Sequence, residues 1–219
     1  MTHPATMSAR AESRLPVLIA IASVLTLQIA IPARYTAVPR WPLIVLELLL
    51  LLVILVINPL TAHRHTVVGT WAMRLLTGAI TVDNTTSAAV LDYRIISGQI
   101  GDNAAVLLGS GGAIYLTNVI AFGIWFWVLD RGGPCARLNG EGRYPAFLFP
   151  QMSDPDHARP DWRPIFVDYL YVSFTNSVAF SPTDTMPLAR WAKSMMTVQA
   201  LVATTTVALV FTRAVSLLN

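Results

Sequence analysis

The chain has 219 residues, of which 54% are hydrophobic and 12% charged, whereas soluble domains carry about 25% charged residues. That deficit excludes an ordinary soluble globular domain and points to lipid as the surrounding solvent. The net charge of +3 comes from arginines scattered singly or in pairs with one lysine, Lys193, which is no electrostatic footprint for nucleic acid, and the lone Cys135 excludes an intrachain disulfide framework or a cysteine metal cluster.

A hydrocarbon core of about 30 Å needs about 20 predominantly apolar residues in helix. The first such run is LPVLIAIASVLTLQIAIP, residues 15–32. Arg10 and Arg14 precede it as the n-region of a secretory signal does, but the run is longer than a usual h-region and no A-x-A site follows, so it is read as a span. The second, PLIVLELLLLLVILVINPL at residues 42–60, is interrupted only by Glu47. An ionisable group at that depth is by default functional, through pairing, proton transfer or ion binding; the alternative is a neutral carboxyl hydrogen-bonded to a neighbouring helix. His63-Arg64-His65 reads as a cytoplasmic flank rather than a metal site. VVGTWAMRLLTGAITV, residues 67–82, carries Arg74 near its middle and predicts an interfacial amphipathic helix. TTSAAVLDYRIIS, with Thr and Ser in capping positions, predicts a second short helix. The alternative for 67–82 is a fifth span, which would reverse the ends of the chain.

The third span, residues 104–130, closes on Trp125 and Trp127 as an aromatic belt does, and its GSGGA segment at 109–113 suits close helix packing. Residues 131–163 form a loop rich in Pro, Gly and Arg. Asp154, Asp156 and His157 in it read as solvated rather than as a divalent-ion site. PIFVDYLYVSFTNSV, residues 164–178, is too short to cross and return, and VAFSPTDTMP after it cannot be regular helix around Pro182. Irregular backbone at membrane depth survives only where protein buries it or a water-filled cavity is lined by it. A short helix, an irregular polar strand and a full span at 194–218 make the layout of a re-entrant pore loop. On the last span Thr197, Leu201, Thr204 and Ala208 share one helical face, for pore lining or for interhelical packing.

The run DYLYVSFTNSVAFSPTDTMPLAR, residues 168–190, resembles the pore module of the tetrameric potassium channel superfamily, whose pore helix and filter read like D-x-L-Y-F-S-F-x-T-L-T-T-V-G-Y-G-D-x-x-P. Asp168, Leu170, Tyr171, Ser173, Phe174, Asp184 and Pro187 fall on its positions without a gap. Where that family has T-V-G-Y-G, this chain has Ala179, Phe180, Ser181, Pro182 and Thr183. The glycines that permit left-handed backbone and the threonine ligand are gone, so the resemblance implies a retained scaffold without the potassium filter. In their place Ser177, Val178, Ala179, Phe180, Ser181, Thr183 and Asp184 are the candidate ion pathway, with hydroxyl and carboxylate rings suited to hydrated cations and an apolar Phe180 ring.

The expected architecture is an all-α integral membrane protein of four transmembrane helices with a re-entrant pore helix and loop between the last two. Residues 1–103 supply two N-terminal helices and a cytoplasmic connection. Residues 104–219 supply the module: outer helix 104–130, external loop 131–163, pore helix and filter-like loop 164–187, inner helix 190–218. The resemblance implies a homotetrameric cation pore in the inner, or plasma, membrane with both termini cytoplasmic and the loop outside, lacking potassium selectivity. The alternative is a non-conducting scaffold that keeps the architecture. Its partners are its own copies, lipid and inorganic cations, with no cofactor, metal or nucleic acid. Counting arginines for the positive-inside rule leans against this orientation. No nucleophile elbow, H-E-x-x-H or phosphate loop supports an enzyme, and no arginine ladder makes a voltage sensor. The alanine and arginine surplus suits a GC-rich bacterial genome.

Overall fold

The computed structural model describes residues 12–36, 40–57, 66–101, 103–140, 142, 144–178 and 184–218. Of the described residues, 79% are helical. The major helices are α1 (Leu15–Ala30), α2 (Trp41–Ile57), α3 (Val67–Ile96), α4 (Ala104–Leu129), α7 (Phe166–Val178) and α8 (Arg190–Leu218), with short helices α5 (Pro134–Leu138) and α6 (Pro150–Ser153) in the long loop. Two of them, α4 and α8, are long and apolar enough to cross a membrane, and α1 and α2 are shorter apolar helices.

The hub is α4, against which α1, α3, α7 and α8 all pack. Its glycines make this possible. A Cβ at Gly111 would lie 2.7 Å from Val210 Cγ1 of α8, and one at Gly123 would lie 3.1 Å from the Leu170 backbone of α7. Within the GSGGA segment only Gly111 has this role, since Gly109 and Gly112 meet nothing within 4 Å.

The connection between α2 and α4 differs from its expected two short helices. It contains one 30-residue helix, α3, whose N-cap Thr66 accepts from Gly69 N at 3.2 Å. The polar residues that read as caps are absorbed inside it. Thr77, Thr81 and Thr86 donate back to the carbonyls of Met73, Thr77 and Val82 at 2.8, 2.7 and 2.8 Å, while Asp83, Asn84 and Ser87 are buried against neighbouring helices. Arg74 lies beside the Trp71 ring, 5.5 Å from its centroid, in the second turn of α3.

This single helix bears on where Glu12 and Leu217, near the two described ends, lie. Glu12, just before α1, accepts hydrogen bonds from Trp127 Nε1 and Phe166 N, both at 2.8 Å, so it sits where α4 ends and α7 begins. The start of α3 joins the same end, where Thr66, Gly69 and Thr70 share a small pocket with Arg14, Trp127 and Cys135. At the opposite end Tyr35, Leu91, Ile100 and Leu107 pack with Val210, Ala214 and Leu217 of α8. Both termini on one face were expected. The termini themselves, residues 1–11 and 219, lie outside the described residues, while Glu12 and Leu217 lie at opposite ends of the bundle.

Candidate functional site

The short helix α7 is docked into the groove between α4 and α8 by polar side chains. Asp168 Oδ2 accepts from Ile165 N at 2.7 Å and stabilises the first turn. Deeper in, the Ser173 hydroxyl donates to Val119 O of α4 at 2.6 Å. Gln199 of α8, 0% exposed, places its Nε2 at 3.0 Å from Ser173 O, 2.6 Å from Ser173 Oγ and 2.7 Å from Ser177 Oγ. Asn176 Nδ2 donates to Gln199 Oε1 and to Met196 O, both at 2.9 Å. The C-terminal turn of α7 is thereby fixed to α8 at the point where the polar strand begins.

Of the candidate pathway residues, Ala179, Phe180, Ser181 and Thr183 lie outside the described residues, as does Pro182. Ser177 is half-buried and its hydroxyl donates to Ser173 O at 3.0 Å while receiving Gln199. Val178 and Asp184 are exposed. After Asp184, β2 (Met186–Pro187) pairs antiparallel with β1 (Phe147–Leu148). Leu188 N donates to Ala146 O at 2.8 Å, which anchors the exit of the strand to the long loop.

The face of α8 picked out by sequence is open. Thr197, Leu201, Thr204 and Ala208 are all exposed, and Thr197 only returns its hydroxyl to Lys193 O at 2.9 Å. Thr204 and Ala208 share a mainly apolar groove of about 510 Å³ with Ser177, Val178, Gly112 and Phe211. Part of the loop set and part of the helix set therefore meet in one cavity, open on one side. On α7, Tyr171 and Phe174 also point away from the protein.

The loop end is ordered by ion pairs and aromatic rings. Asp130 is fully buried and receives Tyr169 OH at 2.6 Å and Ala146 N at 2.7 Å. Arg137 donates to the carbonyls of Trp127 and Asp130 at 2.7 and 2.9 Å and pairs with Glu12 at 3.8 Å. Burial pushes the Glu12 carboxyl above its ordinary range, opposed by Arg137. Phe147 stacks edge-on against Tyr169 of α7 and Trp191 of α8, at centroid distances of 6.1 and 6.0 Å. His157 and Asp154 form an exposed pair at 2.8 Å, and no group of three or more potential ligands that could hold a metal occurs among the described residues. Cys135 is buried, and burial raises its thiol pKa. His63, Arg64 and His65 lie outside the described residues.

Glu47 has partners that no spacing rule revealed. It is 1% exposed and meets Gln28 of α1, which also reaches Asp83 of α3, while Arg40 pairs with Asp83 at 2.6 Å. Sequence reasoning missed Gln28, Asp83, Asn176 and Gln199 as structural partners. The available signal was a carboxamide or carboxylate inside an apolar helix, which must find a partner in lipid. No known protein family, curated protein or solved structure matches the chain.

Proposed function

We propose that the protein is an oligomeric, pore-loop-type membrane protein in which copies of α7, the strand after it and the open face of α8 enclose a path for partly hydrated cations. The observation that carries this reading is the docking of a 13-residue helix into the α4–α8 groove by Ser173, Asn176, Ser177 and Gln199. A short amphipathic helix pinned at its C-terminal turn delivers the following strand to a fixed position. The exposed Thr197, Leu201, Thr204 and Ala208 face supplies a wall that a single chain leaves uncovered. One copy encloses nothing, so closed four-fold symmetry is the reading that completes a pore.

Crossing by α1, α2, α3, α4 and α8 in alternation is the topology that fits the position of Glu12 beside Trp127 and Phe166. For polarity the support is charge. Arg14, Arg131, Arg137, Arg159, Arg163, Arg190 and Lys193 lie at the loop end, against Arg34, Arg40, Arg94 and Arg213 at or near the other. The positive-inside rule then puts the loop end in the cytoplasm, opposite to the polarity of the potassium channels that α7 resembles.

Reconstitution tests the reading. The purified complex should have the mass of four chains, and planar bilayers should carry a cation current that discriminates poorly between potassium and sodium. Strong potassium selectivity would show the altered strand to be a competent filter. A silent tetramer favours the second reading, a non-conducting scaffold, for which the observation is that Ser177 Oγ and Asn176 Nδ2 are already engaged inside the protein.

A further inference from the structure

The polar cluster around Glu47 lies beside the connection between α1 and α2 and belongs to no part of the α7–α8 groove. Its members come from three elements: Gln28 from the last turn of α1, Glu47 from the second turn of α2 with Arg40 just before that helix, and Asp83 from the middle of α3. Gln28, Glu47 and Asp83 are each at most 2% exposed, and the Arg40 side chain is 11% exposed. Arg40 contacts Asp83 through Nε at 3.1 Å and Nη2 at 2.6 Å, and its Nη1 donates to the Gln28 main-chain carbonyl. Its donors are directed at those two partners. Arg40 and Asp83 cancel, and Glu47 remains as a supernumerary acid.

Gln28 Nε2 donates to Asp83 Oδ2 at 2.9 Å and leans toward Glu47 Oε1 at 3.4 Å. Among the described residues, the side-chain atoms of this cluster buried without a hydrogen-bond partner are Gln28 Oε1 and Glu47 Oε2. These are the two atoms of the Gln28–Glu47 pair that its existing N–H contact leaves out. Both are acceptors when Glu47 is ionised, so no arrangement of the pair satisfies them. One added hydrogen does. A proton on Glu47 Oε2, donated to Gln28 Oε1, closes a two-hydrogen-bond ring between an amide and a carboxylic acid. The same proton brings the cluster of Arg40, Asp83 and Glu47 from a net charge of −1 to zero. A hard metal cation fits less well, because such ions take six or more oxygen ligands and only these two acceptors stand open.

We propose that Glu47 is an intramembrane proton-binding site, a neutral carboxylic acid paired through its O–H with the Gln28 side-chain amide. The charged groups facing it are Asp83 from α3 and Arg40 from the approach to α2, with the uncharged Gln28 from α1. Binding is simple protonation: the carboxylate takes one proton, no bond to carbon changes, and release leaves one uncompensated negative charge beside Asp83. Arg40, the most exposed member, marks the side from which a proton enters.

Infrared difference spectra of the full-length protein in liposomes test this independently of any current. At neutral pH the native protein should show a carboxylic-acid carbonyl stretch, equal in sodium-containing and sodium-free buffer, that Glu47→Gln removes. Gln28→Leu should move that stretch to the frequency of a more weakly hydrogen-bonded acid. Identical native and Glu47→Gln spectra would overturn the proposal, as would a native band abolished by sodium, which would mark a bound cation instead. If Glu47→Gln fails to fold, Gln28→Leu decides, because an unmoved band means that the acid does not donate to Gln28.

Discussion

Gln199 sits in a stretch of α8, residues 195–212, otherwise made of apolar residues and threonines, and its amide nitrogen serves Ser173 O, Ser173 Oγ and Ser177 Oγ while its oxygen receives Asn176. Interhelical hydrogen bonds in membranes average about 0.6 kcal/mol and reach about 1.7 kcal/mol. Gln199→Leu should therefore cost about 1–2 kcal/mol, read as a lowered melting temperature in detergent. Thr205→Ala on the exposed face of the same helix should change stability by less than about 0.5 kcal/mol. Equal losses in the two variants would remove Gln199 from its role as the anchor of α7. Ser173 stood out in the sequence only as a position of the resemblance, with no partner assigned to it. Gln199 was not legible, because a lone carboxamide in an apolar run announces that it has a partner without saying which helix supplies it.

At the scale of elements, α3 is where reading the chain departed furthest from the structure. D-N-T-T at residues 83–86 looks like a turn followed by a cap, and local propensity alone would break the helix there. Tertiary partners override it. Asp83 is held by Arg40 and Gln28, and the threonines return their hydroxyls to the preceding turn. The apolar helices α1, α2, α4 and α8 were legible as helices because long apolar runs are a signal of length and composition, and of these α4 and α8 are long and apolar enough to cross a membrane. The polar α3 was not legible as one helix, since its partners lie on other helices. Breaking a buried ion pair by removing one member costs about 3–5 kcal/mol, whereas replacing both with apolar residues can be neutral. Arg40→Leu should then lower the melting temperature severely, and the double variant Arg40→Leu/Asp83→Leu should recover most of the loss. A double variant no better than the single one would mean that the pair does not fasten α3 to the approach of α2.

For the whole molecule, the paired expectations are the number of crossings and their direction. Cys135 is buried and its thiol is held protonated by burial, so it is a slow reporter. In a Cys135→Ser background, cysteines at the exposed Ser13, Ser153 and Ser97 report both ends of the bundle. An impermeant maleimide applied to intact cells should label position 97 and reach 13 and 153 only after permeabilisation. Labelling of 13 and 153 without 97 would keep the alternation of helices and restore the potassium-channel polarity. Different behaviour at 13 and 153 would overturn the crossing of α3.

The bonds that Glu12 receives join it to Trp127, 115 positions later, and to Phe166, 154 positions later. During synthesis the chain emerges from its N-terminus, so Glu12 exists long before either donor. Until α4 and α7 have been made, its carboxylate lacks both donors. Its burial therefore waits for the C-terminal half rather than for the formation of α1. A ribosome stalled before residue 166 leaves this latch open, and the finished bundle is sealed at Glu12 by α4 and α7.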